Sequence, residues 1–284
     1  FVVDTDVDQV ALATPLSGHE TNVIDFAVKW TSLSDSVGVD SYQIEVTNDI
    51  GFLNPVVYSD TVNGLFVSDT ILNLYNDTYY WRVRAIDELG NVGPYSETRG
   101  FIVDTDVSQV TLSAPASGHE TTVNQVVVTW TAISADSVGI DSYWISANAL
   151  VDFTGAQVLS DTVDAAEVND TFSNLYNDTV HWRVRGIDDL GNIGPWSDTR
   201  GFVADTDVEQ VVLSLPANGH ETTVNSPVVK WTALTDSVGM DSYAIDVNNN
   251  SSFTGTFVYG DTIDAGNVRD TITNLYNDSF YWRV

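Results

Sequence analysis

Apolar and polar residues alternate along most of this chain with a period of two. Such alternation is typical of β-strands that bury one face, and no apolar pattern with the 3.6-residue period of a helix is present. Three segments show it best in the first hundred residues. Their predicted inward-facing residues are Ile24, Phe26, Val28 and Trp30, then Tyr42, Ile44 and Val46, then Tyr79, Trp81, Val83 and Ala85.

Turn-forming clusters separate these segments, for example Ser17-Gly18-His19-Glu20 and Leu89-Gly90-Asn91-Val92-Gly93-Pro94. Glycine, proline and asparagine favour tight turns. About seven short strands in each hundred residues are typical of an antiparallel β-sandwich. The pattern therefore predicts an all-β protein.

The sequence repeats itself. Asp4-Thr5-Asp6-Val7 returns at residues 104 and 205, steps of 100 and 101 residues, and Trp30 and Trp81 recur with it. This period is longer than the roughly 20–50 residues of a solenoid repeat and suits a domain with its own core. We predict the end of a preceding repeat at 1–3, repeats at 4–103 and 104–204, and a truncated repeat at 205–284. The chain is expected to be an excerpt of a longer array.

Each unit resembles a fibronectin type III or related Ig-like repeat of prokaryotic cell-surface adhesins, stalks or filaments. Trp30 falls where that family has its second-strand tryptophan, and Tyr79 to Asp87 followed by Gly90-Asn91 resembles its sixth strand and hairpin. Phe101 to Thr105 resembles its closing strand and linker. The linker departs from the family pattern, because Thr-Asp-Val stands where Thr-Pro-Pro is common. The resemblance implies tandem antiparallel sandwiches and leaves function open, since this fold serves many roles.

Composition narrows the classes of partner. Forty acidic residues against ten basic ones give a net charge of −30, which argues against nucleic acid or an anionic membrane surface as a partner. There is no cysteine and no run of 18 apolar residues, so disulfides and a membrane-spanning segment are not expected. We expect an extracellular, cell-surface protein whose partners are neighbouring repeats and other copies of itself in a filament.

Catalysis is not expected of this segment. The recurring histidines of Gly-His-Glu, His19, His119 and His220, fall in a predicted tight turn, where a structural role outweighs a metal-ligand or base role. No nucleophile elbow, metalloprotease pattern or phosphate-binding glycine loop is present. The main prediction is a structural segment of a stalk, fibre or filament; the alternative is an adhesive module that recognises a surface glycan or a protein partner.

Two features of the predicted strands bear on binding. Arginines recur at Arg82 and Arg84 and their counterparts, either as an anion-binding stripe or as cross-strand partners of Glu45 and Asp246. Trp144 and Trp196 are the best candidates for partner contacts, because aromatic residues dominate contact energies. Trp144 occurs in only one repeat of three, since Gln43 and Ala244 hold the equivalent positions.

Acidic residues gather where units join, and this predicts Ca²⁺ at the junctions. In an extended linker, Asp104 and Asp106 project to one side, and loops of the following unit lie at the same pole. The preceding unit offers Glu20, Asn76 and Asp77 at the first junction and Glu120, Asn177 and Asp178 at the next. Ca²⁺ needs six to eight oxygen ligands; the alternative is that these residues cap turns. The predicted metal ligands are Asp4, Asp6, Asp104, Asp106, Asp136, Asp141, Asp188, Asp189, Asp205, Asp207, Asp236 and Asp241.

Glycan acceptors are a further expectation. One asparagine per unit begins an Asn-Asp-Thr or Asn-Asp-Ser sequon in a predicted surface turn, although Asn-Asp is also ordinary turn chemistry. A second motif, Asp followed by Ser or Thr and an apolar residue, resembles the O-glycosylation acceptor of Bacteroidota. The predicted acceptors are Asn76, Asn177, Asn277, Thr61, Thr162 and Thr262.

Overall fold

A computed structural model describes residues 3–284, apart from the side chain of Asp178. All regular elements in that range are strands, 22 in number, arranged in six sheets. No helix in the described range is long and apolar enough to cross a membrane. Each sheet lies within one of three successive segments, 12–103, 111–204 and 213–283. The sequence-predicted limits of the units fall between these segments.

The first unit has eight strands. They are β1 (Leu12–Thr14), β2 (His19–Thr21), β3 (Phe26–Trp30), β4 (Val39–Thr47), β5 (Tyr58–Asn63), β6 (Ser68–Ile71), β7 (Asp77–Asp87) and β8 (Arg99–Val103). One sheet has the order β1-β3-β6 and the other the order β2-β8-β7-β4-β5.

The second unit repeats this arrangement. Its strands are β9 (Thr111–Ala114), β10 (His119–Thr121), β11 (Gln125–Thr131), β12 (Ile140–Asn148), β13 (Gln157–Asp164), β14 (Asn169–Ser173), β15 (Asp178–Asp188) and β16 (Arg200–Ala204). The third unit has β17 (Leu213–Leu215), β18 (Val228–Trp231), β19 (Ser242–Asn248), β20 (Tyr259–Asp264), β21 (Arg269–Thr271) and β22 (Tyr281–Arg283). Its sheets have the orders β17-β18-β21 and β20-β19-β22.

Eight strands in each of the first two units are one more than the sequence indicates. The additional strand is β2, which pairs in parallel with β8 so that His19 lies opposite Phe101; β10 and β16 repeat the pairing. The predicted turn at residues 17–20 is therefore shorter, with Gly18 at φ +80° and His19 already in the strand. The His19 ring stacks on Phe26 at 5.2 Å between centroids, which gives it a structural contact.

The alternating segments supply the core, as predicted. Trp30 is 2% exposed and Trp81 fully buried, and Trp130 and Trp182 repeat this in the second unit. Ile24 is an exception at 47% exposure, because β3 begins only at Phe26. The three cores contain 16, 15 and 6 buried apolar residues respectively. The protein is thus all-β, and its units are mainly antiparallel sandwiches in tandem, with one parallel strand pair in each of the first two.

Candidate functional site

The junction between the first two units is organised by Asn76, which lies in the loop before β7. Its side-chain nitrogen donates hydrogen bonds to Asp104, at 3.2 Å, and to Asp106. Its side-chain oxygen accepts hydrogen bonds from the backbone N–H of Thr105, at 2.8 Å, and from its hydroxyl, at 2.6 Å. One side chain therefore binds three successive residues of the linker.

The two units also contact each other directly. Asn22 of the first unit donates to the Leu190 carbonyl at 3.3 Å and to the Asn192 side chain at 3.4 Å. Asn192 in turn donates to the Asp104 carbonyl at 2.9 Å. The linker is thus bonded on one side to the unit before it and on the other to the unit after it.

The next junction shares three of these hydrogen bonds. Asn177 donates to Asp207, and its oxygen accepts the Thr206 N–H at 2.8 Å and the Thr206 hydroxyl at 3.4 Å. Since the two linkers are related by the sequence repeat, these shared bonds indicate that the junction is a repeated structural element.

Three carboxylates meet at the entrance of the second unit. Asp104, Asp136 and Asp188 each offer an oxygen within 4.8 Å of the others. Asp104 is only 2% exposed and Asp188 only 1%. Burial, together with the charges of Asp104 and Asp188, raises the pKa of Asp136 despite hydrogen bonds from two backbone N–H groups. Like charges held this close disfavour their own ionised forms.

An equivalent group lies at the entrance of the first unit. It consists of Asp4, Asp35 and Asp87, again within 4.8 Å. Sequence reasoning named Asp4 and missed the other two. The signal was available, because Asp35 and Asp87 precede Asp136 and Asp188 by 101 residues, the repeat length after the insertion near Ala135.

The third unit has part of this arrangement. A hydrogen bond with Asp236 is the main cause of a raised pKa at Asp205, and burial adds to it. Asp205 also accepts the Val238 N–H at 3.3 Å.

The remaining predicted ligands are not part of either three-carboxylate group of the described residues. Asp106 accepts a hydrogen bond from Asn76 and Asp207 accepts one from Asn177. Asp77 accepts a hydrogen bond from Asn48 at 3.2 Å. The side chain of Asp178 lies outside the described residues. The others outside the two groups are Asp6, Asp141, Asp189 and Asp241, together with Glu20 and Glu120.

The carboxylate groups have the chemistry of a hard-cation site. None of the three ion pairs of the described residues involves them. Asp188 already accepts hydrogen bonds at both oxygens, from Leu190, from the Asn192 backbone and from the Asn192 side chain. Only one oxygen of Asp104 accepts a hydrogen bond from a described residue. These are the groups that could hold Ca²⁺.

The predicted cross-strand arginine pairs are confirmed in two units. Arg82 donates to Glu45 from Nε at 3.1 Å and from a terminal nitrogen at 2.7 Å. Arg283 binds Asp246 in the same way, at 2.9 and 2.7 Å. Burial raises the pKa of Glu45. Hydrogen bonds from Tyr95 and Arg82 and the nearby positive charges outweigh this effect, so the pKa of Glu45 lies below its usual value.

The second unit has aromatic residues in this region. The rings of Trp144 and Trp196 lie 5.5 Å apart in an edge-to-face arrangement, and Trp144 donates its indole N–H to Ser160 at 3.1 Å. Both side chains are half-buried on the outer face of the five-stranded sheet. The candidate contact residues are therefore adjacent.

The predicted O-glycan acceptors Thr61, Thr162 and Thr262 occupy equivalent exposed positions in β5, β13 and β20. Each donates its backbone N–H to the preceding aspartate, at 2.7 to 2.8 Å. The sequon residues Asn76, Asn177 and Asn277 are also exposed. The first two use their amide nitrogen in the junctions.

The strand order defines the class of fold: β-sandwiches of the fibronectin type III or Ig-like type, repeated in tandem. In each of the first two units, the sheet orders join strands that are far apart in sequence, such as β2 with β8 and β4 with β7. This class is defined by the architecture of the chain itself.

Neither a family model nor a curated protein matches the chain. Among solved structures, the chain is similar to the FN1-FN3 domains of chicken CNTN1, with 15% identity over 97% of this chain and 90% of that one and a TM-score of 0.36. It is also similar to the fibronectin(III)-like modules of Clostridium thermocellum CbhA, with 18% identity over 70% of this chain and 96% of that one and a TM-score of 0.31.

Proposed function

We propose that this chain is a structural repeat segment of a long extracellular surface fibre, stalk or filament. The proposal rests on one observation, that the β-sandwich and the junction that follows it are repeated together along the chain. A stalk requires that each unit fold on its own core and that successive units be held at a fixed angle. Asn76 and Asn177 bind their linkers in the same way, which supports such a fixed angle.

The size of the molecule in solution tests this role. A compact globule of 284 residues would have a radius of gyration of about 19 Å. Small-angle X-ray scattering of the monomer, extrapolated to zero protein concentration, is expected to give a value well above that. A value near the globular one would contradict the stalk, because the units would then be folded back on one another.

Ca²⁺ at the junctions is part of the same proposal. The group Asp104, Asp136 and Asp188 places three carboxylates together with two of them buried, and no described ion pair neutralises them. A divalent cation would remove their mutual repulsion and tie the linker to the following unit. Backbone carbonyls and water would complete the six to eight oxygen ligands that Ca²⁺ requires.

Thermal melting with and without a chelator tests the cation. Added Ca²⁺ is expected to raise the melting temperature of the chain and EGTA to lower it, since a ligand that binds only the folded state stabilises it. Asp104→Asn should reduce this response. Asp141→Asn is the matched control, because Asp141 is exposed and lies outside the carboxylate group. If Ca²⁺ does not change the melting temperature of the unaltered chain, the proposed Ca²⁺ site is wrong.

Glycosylation is also proposed, at Thr61, Thr162 and Thr262 and at the sequon asparagines. The threonines lie on exposed strands and are accessible to a modifying enzyme. The intact mass of protein from its native source tests this, since each glycan adds a discrete mass. An unmodified mass would contradict the proposal.

A second candidate function is an adhesive module that recognises a surface glycan or protein partner. The adjacent Trp144 and Trp196 favour it. Replacing them with the first-unit residues, Trp144→Gln and Trp196→Tyr, should abolish adhesion of the chain to cells or immobilised glycans while the fold is kept. Equal adhesion by the altered and unaltered chains would exclude this surface.

A further inference from the structure

One arginine recurs at the equivalent strand position of each unit, in β7, β15 and β22, and in the first and third units it binds a carboxylate on the adjacent strand. The pairs are Arg82 with Glu45 and Arg283 with Asp246, both at 2.7 Å. In both, the carboxylate accepts from Nε and from a terminal nitrogen. A carboxylate is therefore the partner that this position accommodates.

The second unit lacks that carboxylate. Ser146 lies opposite Arg183 in the strand pairing, and Trp144 lies opposite Arg185. The Nε atoms of both arginines are buried and have no hydrogen-bond partner among the described residues. Burial lowers the pKa of both guanidinium groups, and the charge of Arg185 adds to the effect on Arg183. Two neighbouring cations thus face outward without the anion that the other units provide.

Aromatic rings hold these two cations in place. Arg183 lies 3.7 Å from the centre of the Phe153 ring and 4.4 Å from that of Trp196. Arg185 lies 4.1 Å from Trp144 and 4.3 Å from Trp196. Phe153 has φ +61°, a conformation that is costly for a bulky residue and persists where the surrounding structure imposes it. The guanidinium groups are therefore preorganised, which reduces the entropy cost of binding.

We propose that this Trp–Arg face, formed by Trp144, Ser146, Arg183, Arg185 and Trp196, binds an acidic side chain of a second copy of this chain. The carboxylate would bind the terminal nitrogens of Arg183 and Arg185, because their Nε atoms are buried. Planar guanidinium groups bind carboxylates with strong, charge-assisted hydrogen bonds.

Charge complementarity favours a second copy as the occupant. The chain carries 40 acidic residues and 10 basic ones, so a neighbouring copy presents carboxylates over its surface. The ring faces of Trp144 and Trp196 are in contact with guanidinium groups, which leaves less aromatic surface for stacking on a sugar. The proposal concerns lateral contact between copies, so a single stalk could exist without it. Scattering from the monomer tests the stalk function separately.

Sedimentation velocity of the 284-residue chain over a range of concentrations tests the proposal. About 0.15 M salt screens the repulsion between acidic copies beyond about 8 Å while short-range pairs persist. The unaltered chain is expected to associate. Ser146→Glu supplies the missing carboxylate within the unit, as Glu45 does, and should weaken association by about tenfold or more. Ser146→Met has a similar length without a carboxylate or amide acceptor, which matters because Gln43 accepts from Arg84 at 2.8 Å in the first unit, and it should associate like the unaltered chain.

A second variant, with the opposite expected effect, tests the proposal even if Ser146→Glu misfolds. Glu45→Ser frees Arg82 in the first unit and should strengthen association, because a second cationic face becomes available. The proposal is overturned if the unaltered chain stays monomeric at every concentration, or if Ser146→Glu, folded by near-ultraviolet circular dichroism, associates as strongly as Ser146→Met. Binding of an oligouronate or of poly-glutamate by a chain that does not self-associate would likewise assign the face to another partner.

Discussion

At the scale of single residues, the first and third units have a tyrosine that donates a hydrogen bond to a partly buried aspartate, and the second unit, as far as the structure describes it, has no such donor. Tyr58 donates its hydroxyl to Asp69 at 2.7 Å, and Tyr259 does the same for Asp270. Burial and the adjacent carboxylate raise the pKa of both tyrosines, so the hydroxyl stays protonated as a donor. Leu159 holds this position in the second unit.

Asp170 is the aspartate left without that donor, and one of its carboxylate oxygens is buried with no hydrogen-bond partner among the described residues. We predict that Leu159→Tyr increases the free energy of unfolding of the second unit by about 1–2 kcal/mol, because an unsatisfied buried acceptor costs about that much. Leu159→Phe supplies the ring without the hydroxyl and should gain less. Chemical denaturation measures both; equal effects of the two variants would contradict the hydrogen-bond explanation.

At the scale of elements, the linker is ordered by side chains more than by strand pairing. Asn76 makes hydrogen bonds to residues 104, 105 and 106, while β8 ends at Val103. Asn192 binds the same linker from the second unit. A short segment held from both ends has few conformations, and this limits the angle between the units.

We predict that Asn76→Ala widens the distribution of distances between the first and second units. The chain has no cysteine, so one cysteine introduced in the first unit and one in the second give a unique pair of spin labels. Electron–electron double resonance then measures the distribution of distances between them. Thr78→Ala is the matched control, because it removes the glycosylation sequon and keeps the asparagine. If both variants give the distribution of the unaltered chain, the hydrogen bonds of Asn76 do not set the angle.

At the scale of the whole molecule, the three cores are separate clusters of different size. The first two contain 16 and 15 buried apolar residues and the third contains 6. Buried apolar area is the main stabilising contribution, so the units are expected to differ in stability and to unfold separately.

We predict that the third unit unfolds first and that Trp182→Ala affects only the second unit, at a cost of about 3–5 kcal/mol. Trp182 is fully buried and packs edge-to-face on Phe172 of the same core, with 6.4 Å between ring centroids. Hydrogen exchange read by mass spectrometry resolves the units, and Trp81→Ala should have the equivalent effect on the first. Loss of protection in all units of either variant would show that the cores are coupled.

The sequence by itself determined the class of fold and the interior of each unit. Alternation with period two places Tyr42, Ile44, Trp81 and Val83 on one side of their strands, and these residues are buried, because the period is a local property of the extended backbone. The repeat length identified the units for a similar reason, since it needs only comparison of the sequence with itself. The pairing of Arg82 with Glu45 followed from predicted neighbouring strands.

Only the tertiary structure decided which acidic residues of a junction meet. Asp136 lies in the loop before β12 and Asp188 at the end of β15, and both join Asp104 through the packing of strands distant in sequence, whereas Asp141 and Asp189 lie close to them in sequence and outside the group. The tertiary structure also decided that Arg183 and Arg185 lie between aromatic rings without a carboxylate. Sequence patterns fix the side of a strand on which a residue lies, but distances between loops depend on the packing of the two sheets.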